Sequence, residues 1–170
     1  MKKLLLFLAI SSTFLFSSCE GEDGQDGINI LGQVYEVTTD LNYNPIDNLW
    51  EQAVNIPNDI VVYESDAILV YRLEVINVNG ELIDTWSALP QNFFLSNGDI
   101  IQYVYNHTFF DVEILIDGNF DLISLGNQFT DDQTFRIAIV PAEYATANLS
   151  MDELLQNLEI NNAQIETISN

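Results

Sequence analysis

The 170-residue sequence predicts an all-β fold, an antiparallel β-sandwich with one short helix near its carboxyl end. Many short segments alternate apolar and polar side chains with the period of two that is typical of strands. Turns rich in Asn, Asp and Gly separate these segments at fairly regular intervals. An immunoglobulin-like sandwich is one arrangement that fits the pattern, which leaves the order of the strands open.

The first 18 residues have the composition of a secretory signal peptide. Lys2 and Lys3 precede an apolar run over residues 4–16, and two serines follow that run. The run is too short to cross a bilayer core of about 30 Å, so it predicts an export signal and not a membrane span. A plain secretory signal and an uncleaved anchor are the alternatives.

Cys19, the only cysteine of the chain, comes directly after these serines. The segment Phe16-Ser17-Ser18-Cys19 resembles a bacterial lipobox, although phenylalanine stands where leucine is commonest. The resemblance implies cleavage before Cys19, diacylation of its thiol and acylation of the new amino group. Because two or more acyl chains anchor a protein stably, we expect Cys19 to attach the mature chain to a membrane.

The expected domain organisation is a signal peptide at 1–18, a lipidated cysteine with an acidic glycine-rich linker at 19–31, and a β-sandwich domain at 32–170. Gly21, Gly24 and Gly27 of the linker have collagen-like spacing, but the triplets are too few for a triple helix.

The acidic linker resembles the surface-export signal of Bacteroidota lipoproteins. Three parts of the domain also resemble a pattern in small, uncharacterised lipoproteins of that group: Leu69-Val70-Tyr71, Leu89-Pro90 and the stretch from Phe135 to Pro141. The resemblance implies an outer-membrane location with the domain exposed at the cell surface. The alternative is a linker that faces the periplasm.

Residues 33–39 and 50–56 predict the first two strands, which a polar loop joins. Val34 and Val37 are core candidates on the first strand. The second ends at Pro57, because proline cannot donate a hydrogen bond to a sheet.

Residues 67–78 give the strongest strand signal of the sequence. Five apolar residues begin the strand, which indicates a central position covered on both faces. The following residues alternate, with Leu73 and Val75 on one face and Arg72 and Glu74 on the other. Asn79-Gly80 then favours a type I′ hairpin, whose return strand is residues 81–86.

Apolar alternation predicts three more strands. Each strand has one set of residues on a common face. The set of the first strand is Ile101, Tyr103, Tyr105 and His107, that of the second is Phe110, Val112, Ile114 and Ile116, and that of the third is Phe135, Ile137 and Ile139. We also expect a short strand at residues 120–125 and an edge strand at 164–168. Ser150 and Glu153 have the spacing of a capping box and predict the one clear helix.

The charge balance argues against nucleic acid as a partner. The chain has 26 acidic and four basic residues and a net charge of −22, and loss of Lys2 and Lys3 with the signal makes the mature chain two units more negative. Nucleic acid is therefore excluded, since phosphate binding requires clustered Lys and Arg. The 48% hydrophobic content is nevertheless sufficient for one folded domain.

Catalytic motifs are weak. His107 is the only histidine, so a zinc site with several histidines is impossible, and a Ser-His-Asp triad would have to use a residue at a strand end. Acidic pairs that could hydrolyse a glycoside are abundant, but none stands out. We expect no enzymatic activity, with an envelope hydrolase as the alternative.

Three oxygen-bearing side chains are weak candidates for calcium ligands: Asp117, Asn119 and Asp121. Their spacing matches the start of a calcium loop. However, Leu122 stands where the loop requires glycine, and Gln128 stands where it requires glutamate. A hairpin turn explains the spacing equally well, so we expect no cofactor, with calcium as the alternative.

Four aromatic residues could form a binding platform or belong to the core: Trp50, Trp86, Tyr43 and Tyr63. Core packing is the favoured interpretation. Arg72 and Arg136 could form an anion site, but pairing with carboxylates such as Glu74 or Glu113 is favoured.

The sequence as a whole predicts a lipid-anchored module of the cell envelope that acts in adhesion, scaffolding or glycan association. A receptor for a small ligand or for calcium is an alternative. The sequence does not identify the protein or glycan partner.

Overall fold

The structure is a computed structural model that describes residues 32–146 and 148–169. The predicted signal peptide, Cys19 and the linker lie outside the described residues. The sandwich belongs to the compact unit formed by residues 31–170. It consists of two five-stranded sheets and one α-helix, which confirms the predicted fold class.

The ten strands are, in chain order, β1 (Gln33–Thr39), β2 (Asn42–Asn44), β3 (Leu49–Asn55), β4 (Asp66–Val78), β5 (Glu81–Ala88), β6 (Gln91–Phe94), β7 (Ile100–His107), β8 (Asp111–Gly118), β9 (Gln133–Pro141) and β10 (Glu166–Ser169). The helix, α1, spans Met151–Asn157. Short 3₁₀ turns lie at Leu122–Ser124, Asn127–Phe129, Ala142–Thr146 and Asn162–Gln164.

The first sheet has the order β10-β1-β9-β4-β5, and the second has the order β2-β3-β8-β7-β6. All pairs are antiparallel except β1 and β10, which are parallel. The final strand is thus the predicted edge strand. In this chain β1 lies between β9 and β10. In an immunoglobulin constant domain, by contrast, the first strand pairs with the second strand of the chain.

The inner layer of the fold is the apolar core between the two sheets. Its central side chains come from one face of β1, β4, β7, β8 and β9, as the period of two predicts. The fully buried members include Val37, Ile101, Ile114, Phe135 and Ile137.

The outer layer of the fold lies between the first sheet and α1. Met151, Leu154 and Leu158 of the helical segment pack on the opposite face of β1, β4 and β9. The predicted capping box is present, since the Ser150 hydroxyl accepts from the Glu153 amide and the Glu153 carboxylate accepts from the Ser150 amide. The first sheet is therefore covered on both faces along part of β4, as the apolar start of that strand predicts.

The predicted β4–β5 hairpin is present. Asn79 and Gly80 have φ values of 55° and 92°, and a type I′ turn requires φ above zero at both positions. The predicted alternation after Tyr71 is also present. The face of β4 that carries Arg72 points into the sandwich, whereas Val75, on the opposite face of the strand, is exposed.

Several local predictions were wrong. Residues 120–125 do not form a strand, because the Asp121 side chain accepts from the Ile123 amide and stabilises a 3₁₀ turn. Phe110 is 80% exposed, because it belongs to a turn in which the Thr108 hydroxyl accepts from its amide. The alternation of Phe135, Ile137 and Ile139 also predicts a strand that is buried on one face only, but β9 is buried on both faces, because the outer layer covers Arg136 and Ala138.

The short strands β2 and β6 were not predicted. Both are edge strands of the second sheet, with only three and four residues, so neither has enough alternating positions for a pattern. Within the described parts of the chain, no helix has the length and apolar character needed to cross a membrane.

Candidate functional site

Arg72 lies in the inner layer, where its side chain is enclosed by polar and aromatic groups. Its Nε and Nη2 atoms donate to Gln133 Oε1 at 3.0 and 2.7 Å, and Nη1 donates to Glu74 Oε1 at 3.1 Å. The guanidinium carbon lies 4.7 Å from the centre of the Tyr103 ring and 5.3 Å from that of Phe93. These contacts satisfy the cation inside the fold.

Arg136 lies in the outer layer and has a similar set of partners. Its Nε donates to Glu36 Oε2 at 3.0 Å, and its Nη1 donates to Asn162 Oδ1 at 2.9 Å. The guanidinium carbon lies 4.0 Å from the centre of the Trp86 ring. This arginine joins the sheet to the segment that follows α1.

The expected pairing of both arginines with carboxylates is therefore present, through Glu74 and Glu36. Glu113 was a wrong choice of partner, because it alternates with the core residues Val112 and Ile114 on β8 and therefore faces away from the sandwich interior. With each guanidinium held by a carboxylate and an aromatic ring, the geometry favours a structural role over an anion site.

Two buried tyrosines of the inner layer differ in their hydrogen bonds. The Tyr103 hydroxyl donates to the Phe129 carbonyl, and burial raises the pKa of Tyr103 to about 12 despite the opposing effect of Arg72. The Tyr35 hydroxyl is buried without a hydrogen-bond partner in the described part of the chain, and burial raises its pKa further.

The three calcium candidates direct their oxygens to turn and loop hydrogen bonds. Asp117 Oδ1 accepts from the Gly118 amide, and Asn119 Oδ1 accepts from the Ile100 amide. Asp121 Oδ1 accepts from the Ile123 amide and the Tyr43 hydroxyl. Residues 32–146 and 148–169 contain no group of three or more acidic, histidine or cysteine side chains placed to hold a metal ion.

His107 is exposed at the end of β7, beside a shallow groove of about 150 Å³. Glu64, Asp66 and Thr108 line this groove together with apolar residues. The described lining residues include no serine or cysteine nucleophile that a His107-centred triad could use.

The four aromatic candidates do not form one platform. Trp50 packs against the inner layer next to Tyr43, with ring centres 5.5 Å apart, and its Nε1 donates to the Leu122 carbonyl at 2.7 Å. Trp86 packs against the outer layer under Arg136. Tyr63 is 43% exposed in the connection between β3 and β4.

A groove of about 570 Å³ lies beside Trp86 and Arg136. Asp84 and Asp152 contribute carboxylates to its lining, and Ser150 contributes a hydroxyl. Its size is within the range of small-molecule sites, and it combines an aromatic ring with several polar groups.

The hairpin arm, which we define as residues 73–78 of β4 and 81–86 of β5, continues beyond the pairing of β4 with β9. That pairing ends at Arg72, after which β4 is bonded only to β5. At about 3.4 Å per residue, the arm is roughly 20 Å long. Its exposed apolar residues are Val75, Ile76, Val78, Leu82 and Ile83.

The sequence did not predict the hairpin arm as a site, although the length of β4 indicates that this strand extends past its neighbours. β4 has 13 residues, whereas β1 and β9, its companions in the first sheet, have 7 and 9. A strand of that length exceeds the usual five or six residues and must extend past its neighbours.

A second exposed apolar region lies at the β7–β8 turn. Phe109 and Phe110 are 52% and 80% exposed, and they line a groove of about 840 Å³ with Val61 and Ile168. The hairpin arm and this groove each group several uncovered apolar side chains, whereas Ile46, Phe94 and Ile123 are exposed elsewhere on the described surface.

Comparison of the chain with protein families, curated proteins and solved structures finds no match.

Proposed function

We propose that the protein is a lipid-anchored module of the cell envelope that binds another macromolecule and performs no catalysis. The lipobox-like segment at Cys19 supports the anchor, and the acidic linker supports presentation at the outer surface of the outer membrane. The uncovered apolar side chains of the hairpin arm carry the binding role, since contiguous exposed apolar surface is typical of interaction sites.

Metabolic labelling with an alkyne fatty acid tests the anchor. We expect the full chain to incorporate the label and to fractionate with membranes. Cys19→Ala should lose the label, whereas Ser18→Ala, which keeps a small residue before the cysteine, should retain it. An unlabelled mature protein with a free amino terminus at residue 19 would contradict the anchor.

Protease treatment of intact cells tests the side of the membrane. A surface-exposed domain is degraded while a periplasmic control protein remains intact. Replacement of Glu20, Glu22 and Asp23 by neutral residues should protect the domain, because it removes three of the four acidic residues of the linker. Protection of the unaltered protein would favour the periplasmic alternative.

A receptor for a small polar ligand is a second candidate, which the groove beside Trp86 favours. A panel of monosaccharides and amino acids, titrated while tryptophan fluorescence is recorded, tests this candidate. A saturable change that Trp86→Phe removes and Trp50→Phe retains would support it. The absence of any saturable change across the panel would leave the macromolecule-binding role as the better proposal.

A further inference from the structure

The hairpin arm has two free strand edges. β4 is bonded to β5 alone from residue 73 onward, and β5 is the last strand of the first sheet. The backbone groups that point away from the arm therefore have no strand beside them in the described part of the chain. Such edges are the positions at which another extended chain can join a sheet.

Each face of the arm carries exposed apolar side chains. Val75 and Leu82 are 56% and 70% exposed on one face. Ile76, Val78 and Ile83 are between 39% and 43% exposed on the other. A two-stranded ribbon is only marginally stable in water by itself, so an added strand that buries these side chains would stabilise the arm.

The charge of the arm restricts the chemistry of its partner. Glu81 and Asp84 lie on opposite faces of β5, and each is paired in register with an exposed valine of β4. The only arginines of the described chain, Arg72 and Arg136, are already held by Glu74 and Glu36. A second copy of this strongly acidic chain is therefore repelled, and a cationic partner is attracted.

From these observations we propose that the arm binds an extended segment of a partner protein in which Lys or Arg alternates with aliphatic residues. The segment adds as a strand beside β5. Because one acid lies on each face, either orientation of the segment brings its cations to a carboxylate and its aliphatic side chains to Leu82 or Ile83. This inference rests on the proposed function and names the surface and the class of partner.

A binding titration tests the proposal with the whole mature protein in detergent. The probe is a capped, fluorescently labelled ten-residue peptide of alternating lysine and valine, and anisotropy reports its binding. We expect saturable binding that weakens as salt is added. Replacement of both Glu81 and Asp84 by lysine should lower the affinity at least about tenfold and should create affinity for the matching peptide of alternating glutamate and valine.

Two further reagents separate strand addition from simple charge attraction. A lysine–valine peptide with every backbone amide N-methylated keeps its charge but has no N–H group to donate to β5 from either edge, so its affinity should fall at least about tenfold. Leu82→Ser should weaken binding, and Phe94→Ser should not, although Phe94 is 79% exposed on β6 of the second sheet. Circular dichroism of each variant checks that the fold is retained.

Three outcomes of the binding titrations would overturn the proposal. They are the absence of peptide binding, equal affinity for the N-methylated peptide, and an unchanged affinity after the charge reversal. Sedimentation that shows a dimer, removed by Leu82→Ser, would assign the arm to a second copy instead. Fatty acid labelling of Cys19 is measured independently, so loss of the anchor and loss of the peptide site are distinguishable.

Discussion

The first sheet has a buried layer on each face, and each layer contains one arginine side chain. Arg72 and Arg136 lie on neighbouring strands, one residue apart in register, and point in opposite directions. Each donates to a carboxylate and to an amide oxygen, and each contacts an aromatic ring. The two cations of the folded domain thus have the same structural role on opposite faces.

The two layers differ in what builds them. The inner layer combines strands from both sheets, whereas the outer layer depends on a helix of seven residues. A helix this short is unstable in isolation, so it exists because its apolar face packs against the sheet. We infer that the outer layer is the weaker of the two.

Truncation of one large side chain in each layer gives the largest expected effect. Phe135→Ala should lower the free energy of unfolding by about 4 kcal/mol, and Leu154→Ala by about 3 kcal/mol, since both side chains are fully buried. Urea unfolding monitored by circular dichroism measures both. If Leu154→Ala leaves the unfolding midpoint unchanged, the outer layer is not part of the cooperative unit.

Replacement of the arginines compares the two layers directly. Arg72→Met should lower the free energy of unfolding by about 3 kcal/mol, because it removes the three hydrogen bonds that the guanidinium donates to Gln133 and Glu74. Arg136→Met should cost less, about 2 kcal/mol, because its site adjoins an open groove of about 570 Å³. Thermal unfolding of the two variants at one pH measures the difference. A larger loss for Arg136→Met would reverse our ranking of the layers.

The burial of these arginines could not be predicted from the alternating pattern of their strands. The alternation in β7, β8 and β9 identified inner-layer residues such as Ile114 and Phe135, because a period of two directly reports the two faces of a strand. The apolar residues of β4 after Arg72 belong to the hairpin arm, since the pairing of β4 with β9 stops at Arg72. Which of two alternating faces is covered depends on neighbouring strands, and the pattern of one strand does not contain that information.

The candidate sites were predicted less well than the fold. The calcium candidates match a loop in spacing alone, and the structure shows that backbone amides use their oxygens. The capping box of α1 was predicted because it is local, requiring only Ser150 and Glu153. The hairpin arm becomes a candidate only when the length of β4 is compared with the extent of its pairing with β9, and that pairing is not local in the sequence.

Removal of single hydroxyl groups should distinguish two positions within the inner layer. Tyr103→Phe should lower the free energy of unfolding by about 1 to 2 kcal/mol, because the buried Phe129 carbonyl loses its donor. Tyr35→Phe should be neutral or stabilising by up to about 0.5 kcal/mol, because the lost hydroxyl has no partner among the described residues. Equal losses in urea unfolding would mean that Tyr35 has a polar partner.

The smallest effect concerns the start of the outer-layer helix. The pKa of Glu153 is lowered because the Ser150 backbone amide, and then the Ser150 hydroxyl, donate to its carboxylate. A lowered pKa means that this stabilisation is present above the ordinary value of 4.5 and is lost as pH falls through the lower value of the folded protein.

Ser150→Ala removes the hydroxyl but keeps the amide, so the pKa of Glu153 should move only part of the way back towards 4.5. Ser150→Thr keeps a hydroxyl at the same position and should leave the pKa close to that of the unaltered protein. An NMR titration of the Glu153 carboxyl group measures both variants. An unchanged pKa in Ser150→Ala would show that the amide alone stabilises the carboxylate, and the helix start would then contribute less to the outer layer than its capping box indicates.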